Sequence, residues 1–503
     1  MDNPYIRDSD TINFKRQMIL SAVIPFVICL FMYSGTFGMS YLYYDDYRFL
    51  ATGIPIKEFL YIGRPVTALY LLAFPSVSTQ LVDANYFRLF AMVLASLQSG
   101  LVIHWCRRQG FDSYFAWGAG ISLLALPSIS LFILWVNTNS SLIASLSSTV
   151  AALVMTKSFS EPKKKNRFLH YASVFILLQL ALFTYQPAAM FFWSLWCIYV
   201  FRIRQKEWHA KRGNILAVLL VGTISIGIYF LLLKLMQRLI PFDYSRTSLV
   251  KDFSGKLYWF LRGPLVQAFS LWSMPPSTFL FFATIFFVCS PIVAFLIKAI
   301  RTDGISRKGY LSIGLQRMAI LIVLVSLSHS PNIVVAENWA TYRSSFALSS
   351  TALFLVFCSG LYWFSLLNNN IYRKFIYGLI MLLVLAGCLQ TSIITSQTFI
   401  EPQVFEFNFI KYRLRLVNLT ELRHIHVVCP KWYEGLSKIV YQDEYGIPSS
   451  VHGVLAVQMV KIALRELGID YSQIILSSSA EEVIPEYADH TLVIDMRDMK
   501  YFR

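Results

Sequence analysis

Eleven long apolar runs, separated mostly by short polar loops, fill residues 1–399 of this chain. A helix that crosses a bilayer needs about 20 mostly apolar residues. Apolar residues make up 56% of the sequence and charged residues only 14%, against roughly 45–50% and about 25% in soluble domains. A water-soluble fold would lack the polar residues to cover these runs, so the sequence predicts a mainly α, polytopic transmembrane helix bundle. The predicted spans are 18–37, 86–105, 114–134, 140–156, 168–185, 187–201, 214–235, 277–298, 310–328, 344–364 and 375–394.

Two further apolar stretches, 65–75 and 264–274, are too short to cross a bilayer comfortably. Counting either one as a span would also move the basic loops that follow it to the other side of the membrane. We therefore predict that both form interfacial or re-entrant helices.

Basic residues concentrate in alternate loops. With a cytoplasmic N-terminus, the cytoplasmic segments hold 21 basic and 7 acidic residues. Cytoplasmic loops of membrane proteins carry an excess of Lys and Arg, so the bias predicts this orientation and, after eleven crossings, a C-terminus outside. The net charge of +16 would suggest nucleic-acid binding in a soluble protein. Here it follows the membrane loops and no nucleic-acid-binding motif is present, so no nucleic-acid partner is expected.

The last hundred residues differ in kind from the rest. Strand-like runs at 424–428 and 491–495 flank a helical stretch around 454–467, which Gly468 closes in the C-cap position. From residue 400 onward there are 11 basic and 14 acidic residues. We predict two domains: a membrane bundle over 1–399, whose first outside loop is 38–85, and a periplasmic α/β domain over 400–503.

The first outside loop carries the most informative residues. It reads Tyr-Asp-Asp-Tyr-Arg at 44–48 and Gly-Arg-Pro at 63–65. Adjacent carboxylates such as Asp45 and Asp46 raise one pKa of the pair unless cations or hydrogen bonds compensate. Aspartate is also common at the start of a solvated loop, so the pair alone does not indicate a functional site. Its position directly after the first span is what makes it informative.

An acidic pair in that position resembles the GT-C class of polytopic glycosyltransferases. Within that class, the two motifs resemble the phage-type, serotype-converting O-antigen glucosyltransferase family. Further similarities are Asn137–Ser141 after the third span, Tyr185-Gln186 after the fifth, and Tyr342-Arg343 entering the tenth. The helix count and the α/β tail also fit. The resemblance thus covers essentially the whole chain, through short motifs.

The resemblance implies an inverting glycosyl transfer in the bacterial inner membrane. A sugar, glucose in the first instance, would pass from an undecaprenyl-phosphate-linked donor to lipopolysaccharide O-antigen or a related envelope glycan at the periplasmic face. One aspartate would take the proton of the attacking hydroxyl and the other would orient sugar or acceptor. We favour Asp45 as the base. Adjacent aspartates can bind Mg²⁺, but the class implies no metal or other cofactor.

In the implied transfer, the domain over 400–503 is expected to help dock the acceptor glycan. The transfer also needs cations or hydrogen-bond donors around the donor phosphate, and the candidates lie at the outer membrane boundary. Arg48, Arg64 and Arg343 are the predicted partners of the donor phosphate, because the planar guanidinium group bonds phosphate oxygens in pairs. Tyr185 and Gln186 are predicted substrate contacts, the amide being suited to hydroxyl recognition. Interfacial snorkelling would equally explain Arg343.

Two other functions remain open at this point. A flippase or transporter for a lipid-linked sugar would carry internal repeats and mid-membrane charges, whereas only Lys234 and Arg317 are noted within or near helix bodies. An O-antigen polymerase or ligase would be expected to have a long outside loop late in the bundle.

Overall fold

The computed structural model describes residues 4–77, 80–242, 248–301, 305–366, 370–418, 421–431, 444–480 and 490–501. Within these ranges the chain is mainly helical and contains one small sheet. The helices are α1 (Pro4–Tyr33), α2 (Asp45–Thr52), α3 (Ile56–Tyr61), α4 (Pro65–Val77), α5 (Ala84–Arg108), α6 (Ser113–Leu124), α7 (Pro127–Leu134), α8 (Ser140–Ser160), α9 (Lys164–Thr184), α10 (Gln186–Ala189), α11 (Phe191–Arg202), α12 (Trp208–Leu239), α13 (Phe253–Arg262), α14 (Pro264–Phe269), α15 (Thr278–Arg301), α16 (Ile305–Leu327), α17 (Ser330–Val334), α18 (Phe346–Ser365), α19 (Asn370–Thr395), α20 (Glu401–Arg415) and α21 (Gly453–Glu466).

The helices give the chain the character of a multi-pass membrane protein. Among the described residues, seven helical stretches are long and apolar enough to cross a bilayer, and the bent pair α6–α7 would make an eighth. Leucines such as Leu220 and Leu231 on α12 and Leu382 on α19 are more than half exposed, and exposed apolar faces of this extent are what a bilayer covers. The seven stretches are Ile19–Thr36, Leu81–Arg108, Val136–Ser160, Lys164–Thr184, Gln205–Leu239, Phe346–Ser365 and Ile371–Arg415.

The predicted count of eleven crossings requires more than these. It needs the bent pair α6–α7, the pair α10–α11, and helices α15 and α16 to cross as well. The apolar parts of α15 and α16 within the described residues, Thr278–Ala294 and Leu311–Leu327, are shorter than a full span. The count of eleven therefore stays a prediction.

Contacts between the two ends of the sequence restrict this count. The backbone N–H of Tyr44, which follows α1, donates to Ser449 Oγ at 3.0 Å. Both residues therefore lie at the same end of the bundle, and the number of crossings between them must be even. With α1 added the total is odd, which agrees with seven or with eleven crossings but not with eight.

The opposite end of the bundle is assembled by a separate set of contacts. The side chain of Arg202, at the end of α11, donates to the carbonyls of Gln109 at 3.3 Å and Gly110 at 3.0 Å, just beyond α5. The hydroxyl of Tyr377 on α19 donates to Asp112 at 2.8 Å. These residues lie in or beside loops that are predicted to face the cytoplasm. Their contacts agree with a chain whose successive loops alternate between the two ends of the bundle.

Proline fixes two of the helix breaks. Pro127 at the start of α7 lacks an N–H group and keeps Leu126 extended, so α6 and α7 meet at 53°. Pro187 is the second residue of α10 and has no N–H group with which α9 could continue, so α9 ends at Thr184 and Tyr185 is extended. The second break leaves Tyr185 between the two helices and makes Gln186 the first residue of α10.

Both short apolar stretches form helices too short to cross a membrane. The stretch 65–75 is α4, and the stretch 264–274 is α14 followed by a turn. Helix α4 is tied to the bundle because Thr67 Oγ1 donates to the carbonyl of Thr184 at 2.7 Å. In α14, Gln267 is buried and its side-chain oxygen accepts from Ser345 Oγ at 3.0 Å.

The C-terminal module, residues 400–501, carries a parallel three-stranded sheet. Its strands β1 (His424–Val428), β2 (Ile475–Ser479) and β3 (Thr491–Asp495) lie in the order β2-β1-β3. Strands β1 and β3 and helix α21 agree with the sequence prediction, and Gly468 after α21 has φ +72°. Strand β2 was not predicted, because its run of serines lacks the apolar alternation of a strand.

The module is continuous with the membrane bundle. Helix α19, the π-helical turn Ser396–Ile400 and α20 follow one another without a break, so the predicted domain boundary at 399/400 falls inside a helix. The module and the first outside loop share one hydrophobic core, in which Tyr47 stacks on Phe407 at 5.9 Å. Fully burying a large apolar side chain contributes roughly 1.5–3 kcal/mol, so this core holds the module firmly on the loop.

Candidate active site

One cavity of about 340 Å³ collects most of the predicted site residues. Six of the seven line it, and the seventh, Asp46, does not. Its polar wall comes from the first outside loop and from the segments that precede α8, α10 and α18. The six are Asp45, Arg48, Arg64, Tyr185, Gln186 and Arg343.

Part of the cavity wall is apolar. Leu182 of α9 and Ile226, Phe230 and Leu233 of α12 line this part. Both helices are among the seven stretches long and apolar enough to cross a membrane. The cavity therefore combines charged groups with apolar side chains from helices of the membrane bundle.

Asp45 places a carboxylate in the polar wall. It is the first residue of α2 and is half-buried. Its Oδ2 atom accepts a hydrogen bond of 3.2 Å from the side-chain amide of Asn137, which also lines the cavity. A carboxylate in the first turn of a helix is stabilised by the helix dipole. Asp45 is thus an oriented carboxylate at the cavity surface, as a general base requires.

Asp46 is placed quite differently from its neighbour. It is fully buried, and its two carboxylate oxygens accept the backbone N–H groups of Asn137 at 2.9 Å and Val136 at 3.2 Å. Burial raises the pKa of Asp46 to about 7, although the Asn137 N–H and the Arg88 guanidinium favour the charged form. Asp46 does not line the cavity, and its contacts anchor α2 to the turn before α8.

Arg64 is held by two neighbours from the break between α9 and α10. Its Nε–H donates to Gln186 Oε1 at 3.1 Å, and its guanidinium lies 4.6 Å from the centroid of the Tyr185 ring. A cation over an aromatic face gains about 0.5–2 kcal/mol. The terminal nitrogens of Arg64 are thus directed by fixed contacts at Nε and at the ring.

The amide of Gln186 is occupied by protein groups. Its Nε2 atom donates to the carbonyls of Ile62 at 3.3 Å and Gly63 at 3.2 Å, and also contacts the Tyr229 hydroxyl. The sequence suggested that this amide recognises a substrate hydroxyl. In the structure its hydrogen bonds join α10 to the 62–64 turn, so it orients Arg64.

Arg343 precedes α18 and is less exposed than Arg48. Its guanidinium carbon lies 4.5 Å from the Trp135 ring centroid, and its Nε lies 3.4 Å from a carboxylate oxygen of Glu444. The Glu444 side chain is fully buried, whereas 17% of the Arg343 side chain is exposed. These contacts fix Arg343 at the cavity wall. An arginine that only snorkelled into a lipid interface would not require them.

Arg48 is the most loosely held of the three. It pairs with Glu58 at 3.4 Å, and its side chain is 38% exposed. Exposed ion pairs contribute about 0–1 kcal/mol, so Arg48 can leave this partner at little cost. The three guanidinium groups together make the polar wall suitable for an anion.

Three further residues that shape the site were missed from the sequence. Arg88 lies inside a predicted span and is fully buried, and it donates to the carbonyls of Tyr41 at 2.7 Å and Leu134 at 3.1 Å. A charge within a span is a signal of a special role, and Arg88 stands near the start of the predicted span 86–105. Asn137 belonged to a noted similarity without a role, and Glu444 carries no local sequence signal.

The described residues contain no group of three or more His, Cys, Asp and Glu side chains placed to hold a metal ion. The side chain of Asp45 lies at the cavity surface, whereas that of Asp46 is buried in the core. The acidic pair therefore does not present two carboxylates to one ion in this arrangement.

Comparison with known proteins gives no family for the chain. No family model matches it, and no curated protein matches it. What the site can do follows from its own chemistry. An oriented carboxylate can accept a proton, the guanidinium groups can bind an anion such as a phosphate, and the apolar wall can bind a hydrocarbon chain.

Proposed function

We propose that this protein is an inverting, GT-C-type glycosyltransferase. It moves a sugar, with glucose implied by the resemblance, from an undecaprenyl-phosphate-linked donor to a hydroxyl of lipopolysaccharide O-antigen or a related envelope glycan. The reaction takes place at the periplasmic face of the bacterial inner membrane. The observation that carries the proposal is one cavity lined both by charged groups and by apolar side chains, as a donor that joins a lipid chain to a phosphate and a sugar would require.

The donor fits the cavity by the chemistry of its parts. The phosphate would lie against the guanidinium groups of Arg64 and Arg343, which are held at the wall by fixed partners. Planar guanidinium groups bond phosphate oxygens in pairs. The polyprenyl chain would run along the apolar wall formed by α9 and α12.

Asp45 supplies the base in this proposal. As the acceptor hydroxyl oxygen attacks the anomeric carbon, Asp45 takes its proton. The bond between the anomeric carbon and the phosphate oxygen breaks, and its electron pair stays on the phosphate, releasing the lipid phosphate. Attack from the face opposite to the leaving group inverts the anomeric centre. The arginines stabilise the negative charge that develops on the phosphate, so no general acid is needed.

The proposed reaction can be tested with purified protein in nanodiscs, supplied with an undecaprenyl-phosphate sugar labelled in the sugar and with O-antigen. We expect label in the polysaccharide, with an inverted anomeric configuration, and loss of this transfer in Asp45→Asn. If no label is transferred while labelled donor crosses a vesicle bilayer that contains the protein, the protein is a transporter instead. If whole glycan chains are joined, it is a polymerase or ligase.

A further inference from the structure

Residues 444–452 of the C-terminal module do not line the cavity but bond residues in and beside its polar wall. Glu444 lies against Arg343, which lines the cavity, and Ser449 bonds Tyr44, the residue before Asp45. We call residues 444–452 the contact segment. It is held on the module because Glu406 of α20 accepts the backbone N–H groups of Ser449 and Ser450, both at 2.8 Å.

Glu444 bonds both the backbone and the side chain of the segment before α18. Its carboxylate accepts the N–H of Tyr342 at 2.6 Å and the N–H of Arg343 at 3.1 Å, and lies 3.4 Å from the Arg343 guanidinium. The Glu444 side chain is fully buried. A buried carboxylate is costly unless cations and donors satisfy it. Removing its charge would therefore change the position of Arg343 more than that of any other group in the cavity wall.

The other end of the contact segment lies beside the proposed base. Ser449 Oγ accepts the N–H of Tyr44, the residue directly before Asp45, at 3.0 Å and donates to Gln403 at 2.7 Å. Tyr44 has φ +51°, a value that costs free energy in a residue other than glycine. Its ring also lies 5.0 Å from that of His452. The contact segment thus helps to hold an unfavourable backbone conformation at the start of α2.

We propose that Glu444 is a positioning residue for Arg343, and that the contact segment makes the C-terminal module part of the donor site. This inference rests on the proposed function. Glu444 sets donor binding through Arg343, while Ser449 sets the alignment of Asp45. The module then does more than dock an acceptor, because Arg343 and Asp45 keep their positions in the cavity wall only while the module is seated.

The test compares three variants in steady-state transfer from the labelled donor. Glu444→Gln keeps size and one acceptor oxygen but removes the charge. We expect it to raise the donor KM by about tenfold or more, since a hydrogen bond to a charged group contributes about 1.5–3 kcal/mol and each 1.4 kcal/mol is tenfold. Glu444→Asp keeps the charge and should recover part of that loss. Ser449→Ala should lower kcat with little change in donor KM.

Glu466 provides a matched control on the same module. Its carboxylate accepts the Leu81 N–H at 3.3 Å and pairs with Lys411 at 2.9 Å, but neither of these partners lines the cavity, whereas Arg343, the partner of Glu444, does. Glu466→Gln should leave the donor KM unchanged. Because variants of a buried residue can lose stability, thermal midpoints are measured for all variants. If Glu444→Gln does not fold, the donor KM of Glu444→Asp tests the inference.

The outcomes separate this inference from the function on which it rests. If wild-type protein transfers the sugar but Glu444 and Glu466 variants show the same donor KM, or Glu444→Asp recovers nothing, Glu444 has only a structural role and the inference is wrong. If wild-type protein transfers no sugar, the proposed function itself is wrong. A raised donor KM confined to Glu444→Gln, with partial recovery by Asp, supports the inference.

Discussion

The Asp45 carboxylate accepts a 3.2 Å hydrogen bond from the side-chain amide of Asn137. The backbone N–H of the same asparagine donates to the buried Asp46. Asn137 therefore connects two aspartates that are adjacent in sequence but lie in different surroundings. One is at the cavity surface and the other is in the core, so they are expected to respond differently to the same substitution.

Substituting each aspartate by asparagine separates the two roles. Asp45→Asn should lower the transfer rate by about 10²–10⁴-fold, the usual contribution of a general base, with little change in thermal stability because Asp45 is only half-buried. Asp46→Asn should destabilise the fold by about 1–3 kcal/mol, since its NH₂ group would face a backbone N–H and leave it unpaired. Transfer assays and thermal midpoints at matched expression check both.

Near-normal transfer by Asp45→Asn would place the base elsewhere. An equal loss of activity in both variants at unchanged stability would contradict the separation of roles. Neither substitution removes a basic residue, so membrane topology should stay as in the wild type.

Gln186 should matter through Arg64 and not through the acceptor. Gln186→Leu removes the oxygen that accepts Arg64 Nε–H, and the donor KM should rise by about tenfold, with the acceptor KM unchanged; each tenfold step corresponds to about 1.4 kcal/mol. Gln179→Leu is the matched control. Gln179 on α9 donates to the Ser225 carbonyl over a distance of 2.8 Å, and it does not line the cavity. A change in the acceptor KM alone would restore the role predicted from sequence.

The orientation of the chain is tested by reporter fusions. Fusions after Arg108, Lys165, Arg212 and Lys308 should report the cytoplasm and a fusion after Arg503 the periplasm, because the basic bias favours the first four. The hydrogen bond between Tyr44 and Ser449 requires both to lie on one side. A cytoplasmic signal at the C-terminus together with a periplasmic first loop would contradict both the orientation and this contact.

Sequence periodicity located the helices and two of the three strands because apolar patterning is local. The sequence also indicated, through the motifs in its outside loops and the resemblance that they carry, the residues that come together at the cavity, since loops at one end of a helical bundle are neighbours whatever their separation in sequence. It could not separate Asp45 from Asp46, which are distinguished only by packing against Asn137 and Val136. Nor could it find the contact of Glu444 with Arg343, which are 101 residues apart.

Thermal stability should depend on pH through Asp46. Burial raises its pKa to about 7 from the ordinary value of 3.8, so between these two pH values the folded state binds more protons than the unfolded state. The contribution of Asp46 to stability is then greatest below about pH 4, falls as pH rises towards 7, and stays constant at higher pH. Between pH 5 and pH 8 the loss is about 2–3 kcal/mol at 1.36 kcal/mol per pKa unit.

Asp46→Asn isolates this contribution, because asparagine does not titrate and all other groups are common to both proteins. The thermal midpoint of the wild type should fall relative to that of Asp46→Asn as pH rises from 5 to 8. Parallel curves for the two proteins would mean that Asp46 is already ionised in the folded state over this range.

The last prediction concerns Gly63, which precedes Arg64. Its φ is +76°, and an added Cβ would collide with the Tyr229 hydroxyl, the group that also contacts Gln186. Gly53 is a matched control with φ +86° and open space around the Cβ position. Both alanine variants carry the strain of a positive φ, about 1–2 kcal/mol, but only Gly63→Ala should also displace Tyr229 and disturb Arg64. We therefore expect a raised donor KM in Gly63→Ala alone, and equal donor KM values in the two variants would show that the turn does not set the position of Arg64.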